Sequence, residues 1–136
     1  MSRKHPVIAV TGSSGAGTST VKRAFENIFR REKFLAAVIE GDSLHSLDRM
    51  AFRAAVAEAA KLGNHSFSHF GPEANHFDKI EAMFKKYGET GTCERRYYVH
   101  SEEEAALHKK HFNLPDLQPG QFTPWESIEV DSDLLF

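Results

Sequence analysis

Residues 7–25 read VIAVTGSSGAGTSTVKRAF, and this run constrains the fold more than any other. A short apolar, β-branched stretch leads into glycines, and the glycines lead into apolar positions at helical spacing. The run at 6–11 is nearly all apolar and is flanked by turn residues, which predicts a strand buried on both faces, as in a parallel sheet. Val21, Ala24, Phe25, Ile28 and Phe29 recur at helical spacing and predict an amphipathic helix over 19–33. Between the two, Gly12, Ser13, Ser14, Gly15, Ala16, Gly17, Thr18 and Ser19 fit G-x-x-x-x-G-x-[ST], the pattern of a phosphate-binding loop. Glycines let successive backbone N–H groups converge on phosphate oxygens. The following helix aims its N-terminal dipole at the anion. A hydroxyl at Ser19 suits Mg²⁺, and Thr20 suits a phosphate oxygen. The position that usually carries lysine holds Thr18, so charge for the outer phosphates has to come from another side chain. The competing reading is a glycine-rich turn with no ligand.

A second apolar run at 35–39 ends in EGD. Strand, helix and strand at this spacing make a βαβ unit and predict an α/β fold with a mainly parallel or mixed sheet. Residues 48–62 read as an alanine-rich helix stopped by Gly63. Pro72 can open a helix over 73–87, with Phe77, Ile80 and Phe84 on one face and Gly88 as its stop. RRYYVH at 95–100 reads as a strand. Ser101 and Glu104 form a capping-box pattern for a helix running to about His111. The final DSDLLF reads as the start of another buried strand, with Asp131 and Asp133 before it and therefore at its N-terminal end. An unfinished strand there suggests an N-terminal fragment, since ligands bind at the carboxyl edge of such sheets.

With 136 residues, of which 40% are hydrophobic, the chain suits a single domain, 1–136. Seventeen Lys and Arg against 19 Asp and Glu leave a net charge of −2. No broad basic field points to nucleic acid or an acidic membrane, and no apolar run approaches the ~20 residues of a membrane span. The single cysteine, Cys93 in a polar turn, cannot form an internal disulfide, which fits a reducing cytoplasm.

A second candidate cluster follows the second strand, in IEGDSLHSLDR. Asp42 is expected at the strand's carboxyl end, where a carboxylate can take a proton from an attacking hydroxyl. His45 and Arg49 lie three and seven residues further on and would share a face if the segment is helical. Arg49 suits a substrate phosphate. The competing reading makes Asp42 a helix cap and the other two a solvated face. In RRYYVH, alternation puts Arg96, Tyr98 and His100 on one side and Arg95, Tyr97 and Val99 on the other. The His65/His69 and His108/His111 spacings would suit a metal, but nothing around them has the character of a zinc site.

The blocks GSSGAGTST, EGDSLH, FSHFGPEAN, YGETG, YVH and DSDLLF, in this order, closely resemble bacterial-type phosphoribulokinases. In that class threonine occupies the loop's lysine position. The resemblance implies a P-loop NTPase-like three-layer sandwich. It implies transfer of the ATP γ-phosphate, with Mg²⁺, to the 1-hydroxyl of D-ribulose 5-phosphate, giving ribulose 1,5-bisphosphate and ADP in the Calvin cycle. By motif position it implies ATP contacts at residues 12–20 and a metal contact at Ser19. It makes Asp42 the catalytic base, and His45, Arg49, Tyr98 and His100 sugar-phosphate contacts. It further implies a homo-oligomer, commonly activated by NADH and inhibited by AMP. In the family a metal-serving glutamate, a lid and further basic residues follow LLF, so this chain alone is expected to have little or no activity. The alternatives are a non-catalytic nucleotide-binding module and a P-loop kinase for another small hydroxyl substrate such as a nucleoside.

Overall fold

In the computed structural model, which describes residues 3–13, 15–128 and 131–136, the apolar pair Leu134–Leu135 lies in the middle of a parallel sheet. These two residues form β4, and Ala36–Ala37 form β1, in register Ala36 to Leu134 and Ala37 to Leu135. On the other side of β4, Val7 pairs with Leu135, also in parallel. Leu135 donates its N–H to the Pro6 carbonyl and accepts from Ile8, while Phe136 donates to Ala37 and accepts from Ile39. β4 therefore sits between two segments that precede it in sequence. Leu134 and Leu135 are both buried, 7% and 1% exposed, as expected for an apolar run covered on both faces. Asp133 lies at the N-terminal end of β4, where its Oδ2 accepts the Leu35 N–H at 2.7 Å.

The first apolar run is less enclosed than predicted. Val7 and Ile8 are half-buried, while Ala9 and Val10 are exposed, because pairing with β4 ends at Ile8 and the chain then enters the glycine loop. Helix α1, Thr18–Glu32, follows. Its Phe25 and Phe29 rings pack on Phe136 at 5.2 and 5.4 Å. Val21 and Ile28, expected on the same covered face, are about 40% exposed.

Two compact units divide the chain, Met1–Ile39, Ala82–Glu94 and Ser127–Phe136 forming the first and Glu40–Glu81 and Arg95–Glu126 the second. In the second, Gly41–Leu44 is a 3-10 turn, and helix α2, Arg49–Lys61, is capped by Asp48, whose Oδ1 accepts the Ala51 N–H at 2.8 Å. Helix α3, Phe77–Thr90, starts in the second unit and ends in the first. It starts later and runs further than predicted. Pro72–Ala74 is a separate 3-10 turn, and Gly88 stays helical. The helix ends before Gly91, which takes φ +74 with the His5 ring so close that a Cβ would meet it at 2.7 Å. Its buried residues are Met83 and Tyr87, and Phe77 and Phe84 remain exposed. The buried Tyr87 hydroxyl, hydrogen-bonded to Ser132 Oγ at 3.0 Å, selects that face. Cys93, expected in a polar turn, is buried.

Strands β2, Glu94–Arg95, and β3, Glu126–Ser127, pair with each other. Beyond β2 the chain stays extended and runs antiparallel to 120–123, with Tyr98 opposite Phe122 and Val99 bonded to Gln121 and Gly120. Helix α4, Glu102–Phe112, is capped by Ser101. Its Ala105 joins Val99 and Leu117 in a small core.

Candidate active site

The glycine loop belongs to the first unit. Gly15 and Gly17 take φ +80 and +83, which side chains at these positions would strain. Gly12 has a different role. A Cβ there would meet Ala16 Cβ at 3.0 Å and Thr18 Cγ2 at 3.2 Å. The turn is closed by Ala16 N–H to the Ser13 carbonyl at 3.0 Å. Gly17 is the N-cap of α1, no side chain caps that end, and no carboxylate stands in its first turn. Such an end suits an anion. Ser13, Ala16, Thr18, Ser19 and Thr20 are all exposed, and Ser14 lies outside the described residues. The residues present therefore fit a phosphate chain, with the Ser19 hydroxyl as an oxygen donor for Mg²⁺.

The second unit gathers the other predicted residues. Asp42 sits in the 3-10 turn with 59% of its side chain exposed, and a histidine faces each carboxylate oxygen. Oδ1 lies 3.5 Å from His45 Nε2, and Oδ2 lies 3.2 Å from His100 Nε2. The His45 imidazole beside it lowers the Asp42 pKa to about 2, against the opposing effect of burial, and His100 adds to the lowering. The Asp42 carboxylate in turn raises the pKa of His45, with help from Asn75. Burial works against a proton on His100, but hydrogen bonds to Asp42 and Glu104 outweigh it and raise that pKa. Two imidazoles inclined to hold protons thus flank a carboxylate inclined to stay ionised.

Asp42, His45 and Arg49 do not share a helical face. The 3-10 turn ends at Leu44, His45 is extended at ψ 147, and α2 starts at Arg49. The cap of α2 is Asp48, so the Asp42 carboxylate is left for the histidines. Arg49 donates from Nε to the Tyr98 hydroxyl at 3.3 Å, and its N–H bonds the Gly120 carbonyl at 2.9 Å. Gly120, at φ +91, lies against the arginine stem. A Cβ there would meet Arg49 Cβ at 2.9 Å and Nε at 3.1 Å. Tyr98 also meets the His100 ring edge-on at 5.0 Å. The alternation of RRYYVH holds. Arg96, Tyr98 and His100 reach this cluster, Tyr97 stacks on His108 at 4.6 Å, and Val99 is fully buried.

Arg96 shapes the cluster from behind. Its Nε and Nη2 donate to the Ser43 and His45 carbonyls at 2.8 and 2.5 Å, and its guanidinium lies 3.7 Å from the Phe122 ring centroid and 4.7 Å from that of Trp125. These bonds fix the turn that carries Asp42 and His45. Asn75 and Glu104 were not marked as site residues by sequence. Glu104 signalled its helix cap, and Ser101 Oγ does accept the Glu104 N–H. Its carboxylate, however, goes to the N–H and Nδ1 of His100, at 2.8 and 3.2 Å. Of the metal-spaced histidines, His69 stacks on Phe52 at 3.5 Å and His111 bonds Glu126 at 2.9 Å.

Comparison with known proteins agrees with this geometry. The model of the phosphoribulokinase/uridine kinase family matches residues 7–136. The chain is 53% identical over 136 residues to a phosphoribulokinase of Nitrobacter vulgaris and 52% identical to the chromosomal phosphoribulokinase of Cupriavidus necator, covering 44% of each. A solved phosphoribulokinase from Rhodobacter spheroides matches with a TM-score of 0.81 and 42% identity, over 99% of this chain and 43% of that one. The chain spans less than half the length of these relatives, and its architecture over that span is the α/β fold of a P-loop kinase. By the family match, by identity and by fold, it belongs to the phosphoribulokinase/uridine kinase family.

Proposed function

We propose that this chain carries the nucleotide loop and sugar-phosphate cluster of a phosphoribulokinase, which transfers the ATP γ-phosphate to the 1-hydroxyl of ribulose 5-phosphate. The observation that carries the reading is Asp42 held between His45 and His100, with Arg49 and Tyr98 in the same cluster. Gly12, Ser13, Ser14, Gly15, Ala16, Gly17, Thr18, Ser19 and Thr20 hold the ATP phosphates through backbone N–H groups and hydroxyls. Mg²⁺, held with the help of Ser19, supplies charge neutralisation on the phosphates. Arg49, beside two imidazoles inclined to hold protons, suits a dianionic sugar phosphate far better than an uncharged nucleoside such as uridine. Tyr98 holds the Arg49 guanidinium and adds a hydroxyl for the sugar.

Asp42 orients the 1-hydroxyl and accepts its proton. A carboxylate with a pKa of about 2 is a weak base toward a free alcohol. It serves here because the proton is lost as the oxygen–phosphorus bond forms and the hydroxyl becomes acidic, in a reaction dominated by positioning and charge. The two units then serve one kinase domain. The family resemblance alone supports a homo-oligomer with NADH activation and AMP inhibition, and the single cysteine suits a reducing cytoplasm.

ADP release with ATP, Mg²⁺ and ribulose 5-phosphate tests the proposal. Release that needs the sugar, however slow, and disappears in Asp42→Asn supports it. Release that ignores the sugar, prefers uridine, or survives Asp42→Asn contradicts it.

A further inference from the structure

The two histidines beside Asp42 are held from behind by different groups, and the group behind His45 is an amide whose orientation is fixed. The Asn75 Nδ2 donates one hydrogen to the His69 carbonyl at 2.6 Å and the other to the Gly71 carbonyl at 2.9 Å. A flipped amide would set its oxygen against both carbonyls. The Asn75 Oδ1 is therefore the atom facing His45 Nδ1 at 2.9 Å, and it can only accept. Backbone bonds from Ser46 to Ala74 and from His76 to Leu44 hold the two residues in register.

A proton must then sit on Nδ1 of His45, which has a consequence at the other end of the ring. A neutral imidazole has one N–H. With it committed to Asn75, Nε2 would point a bare lone pair at the Asp42 carboxylate, 3.5 Å away. The ring meets Asp42 favourably only by taking a second proton. Without Asn75, a neutral ring could place its one proton on Nε2 and satisfy Asp42 without charge.

We infer that Asn75 is a positioning residue that fixes the tautomer of His45, so that His45 meets Asp42 and an incoming sugar phosphate as a cation donating from Nε2. The catalytic value of this arrangement rests on the function proposed above, but the tautomer itself does not. The charged and titratable groups facing His45 are Asp42 at Nε2, the His69 ring at 5.5 Å, and Arg96, which bonds the His45 carbonyl.

The test is ¹⁵N-labelling of the histidines and long-range ¹H–¹⁵N correlation of the His45 ring during a pH titration, without substrate. Wild-type His45 should lose its proton from Nε2 and remain Nδ1–H at high pH. Asn75→Leu should shift the neutral ring to Nε2–H and lower its titration midpoint. Asn75→Asp, which keeps an acceptor, should restore Nδ1–H. A wild-type ring found neutral as Nε2–H overturns the inference even if no variant folds, as does an Asn75→Leu ring that stays Nδ1–H. Failure of the unlabelled chain to bind ribulose 5-phosphate would contradict the proposed function and leave the tautomer result standing.

Discussion

On the function proposed above, the side chains of the second unit divide into groups that would face a substrate and groups that hold them. Arg49 would belong to the first kind. A charged hydrogen bond to phosphate contributes about 1.5–3 kcal/mol, so Arg49→Ala should weaken ribulose 5-phosphate roughly ten- to hundredfold, read by calorimetric titration, and leave ATP affinity unchanged. In an enzyme of the relatives' full length, Asp42→Asn should instead lower sugar-dependent ADP release by about 10²–10⁴-fold, as loss of a general base does, with little effect on ATP binding measured by nucleotide fluorescence. It should also bring the His45 and His100 titrations down, because the carboxylate that raises both is gone. Arg96 acts differently, since burial lowers its pKa and its donors are committed to backbone carbonyls. Charge and spacing in the sequence marked Asp42, His45 and Arg49, and alternation put Arg96 on the right face. Nothing in the sequence marked Asn75 or Glu104 as partners, because they meet the histidines through pairings that only the folded chain creates.

At the scale of elements, the loop-and-helix start and the helices α1, α2 and α4 were legible from glycine, capping and periodicity signals. The misreadings share one physical cause, which is tertiary packing overriding local signals. Gly88 is a helix stop by propensity, but the chain makes its left-handed turn at Gly91, against His5. The helical face expected for Asp42, His45 and Arg49 dissolves because Asp48, and not Asp42, caps α2. The position of β4 between two earlier segments follows from its burial and could not be read from strand order. Gly120 shows an element setting a side chain's place. Its positive φ and its contact with the Arg49 stem mean that Gly120→Ala should cost about 1–3 kcal/mol in stability, read as a lower denaturation midpoint. It should also weaken ribulose 5-phosphate binding, because the arginine has to move. Normal sugar affinity in a folded Gly120→Ala would detach Gly120 from the site.

For the whole molecule, the cluster makes stability depend on pH in a definite direction. The Asp42 pKa is depressed from 3.8 to about 2, so its contribution is present above 3.8 and lost as pH falls toward 2. Those of His45 and His100 are raised above 6.5, so their contribution is present below 6.5 and lost as pH rises through the folded values. The melting-temperature difference between wild type and Asp42→Asn should therefore be greatest between pH 3.8 and 6.5 and shrink on both sides, most of it small because Asp42 is largely exposed. No helix among the described residues is long and apolar enough to cross a membrane, and with a net charge of −2 the proposed recognition of an anionic sugar would rest on local cations. Calorimetric titration of ribulose 5-phosphate into the chain, beside Arg49→Ala and with uridine as the competing ligand, tests that recognition most directly. The account predicts saturable binding of the sugar phosphate that Arg49→Ala weakens at least tenfold and that uridine does not reproduce. Absence of binding, equal binding in the variant, or preference for uridine would contradict it.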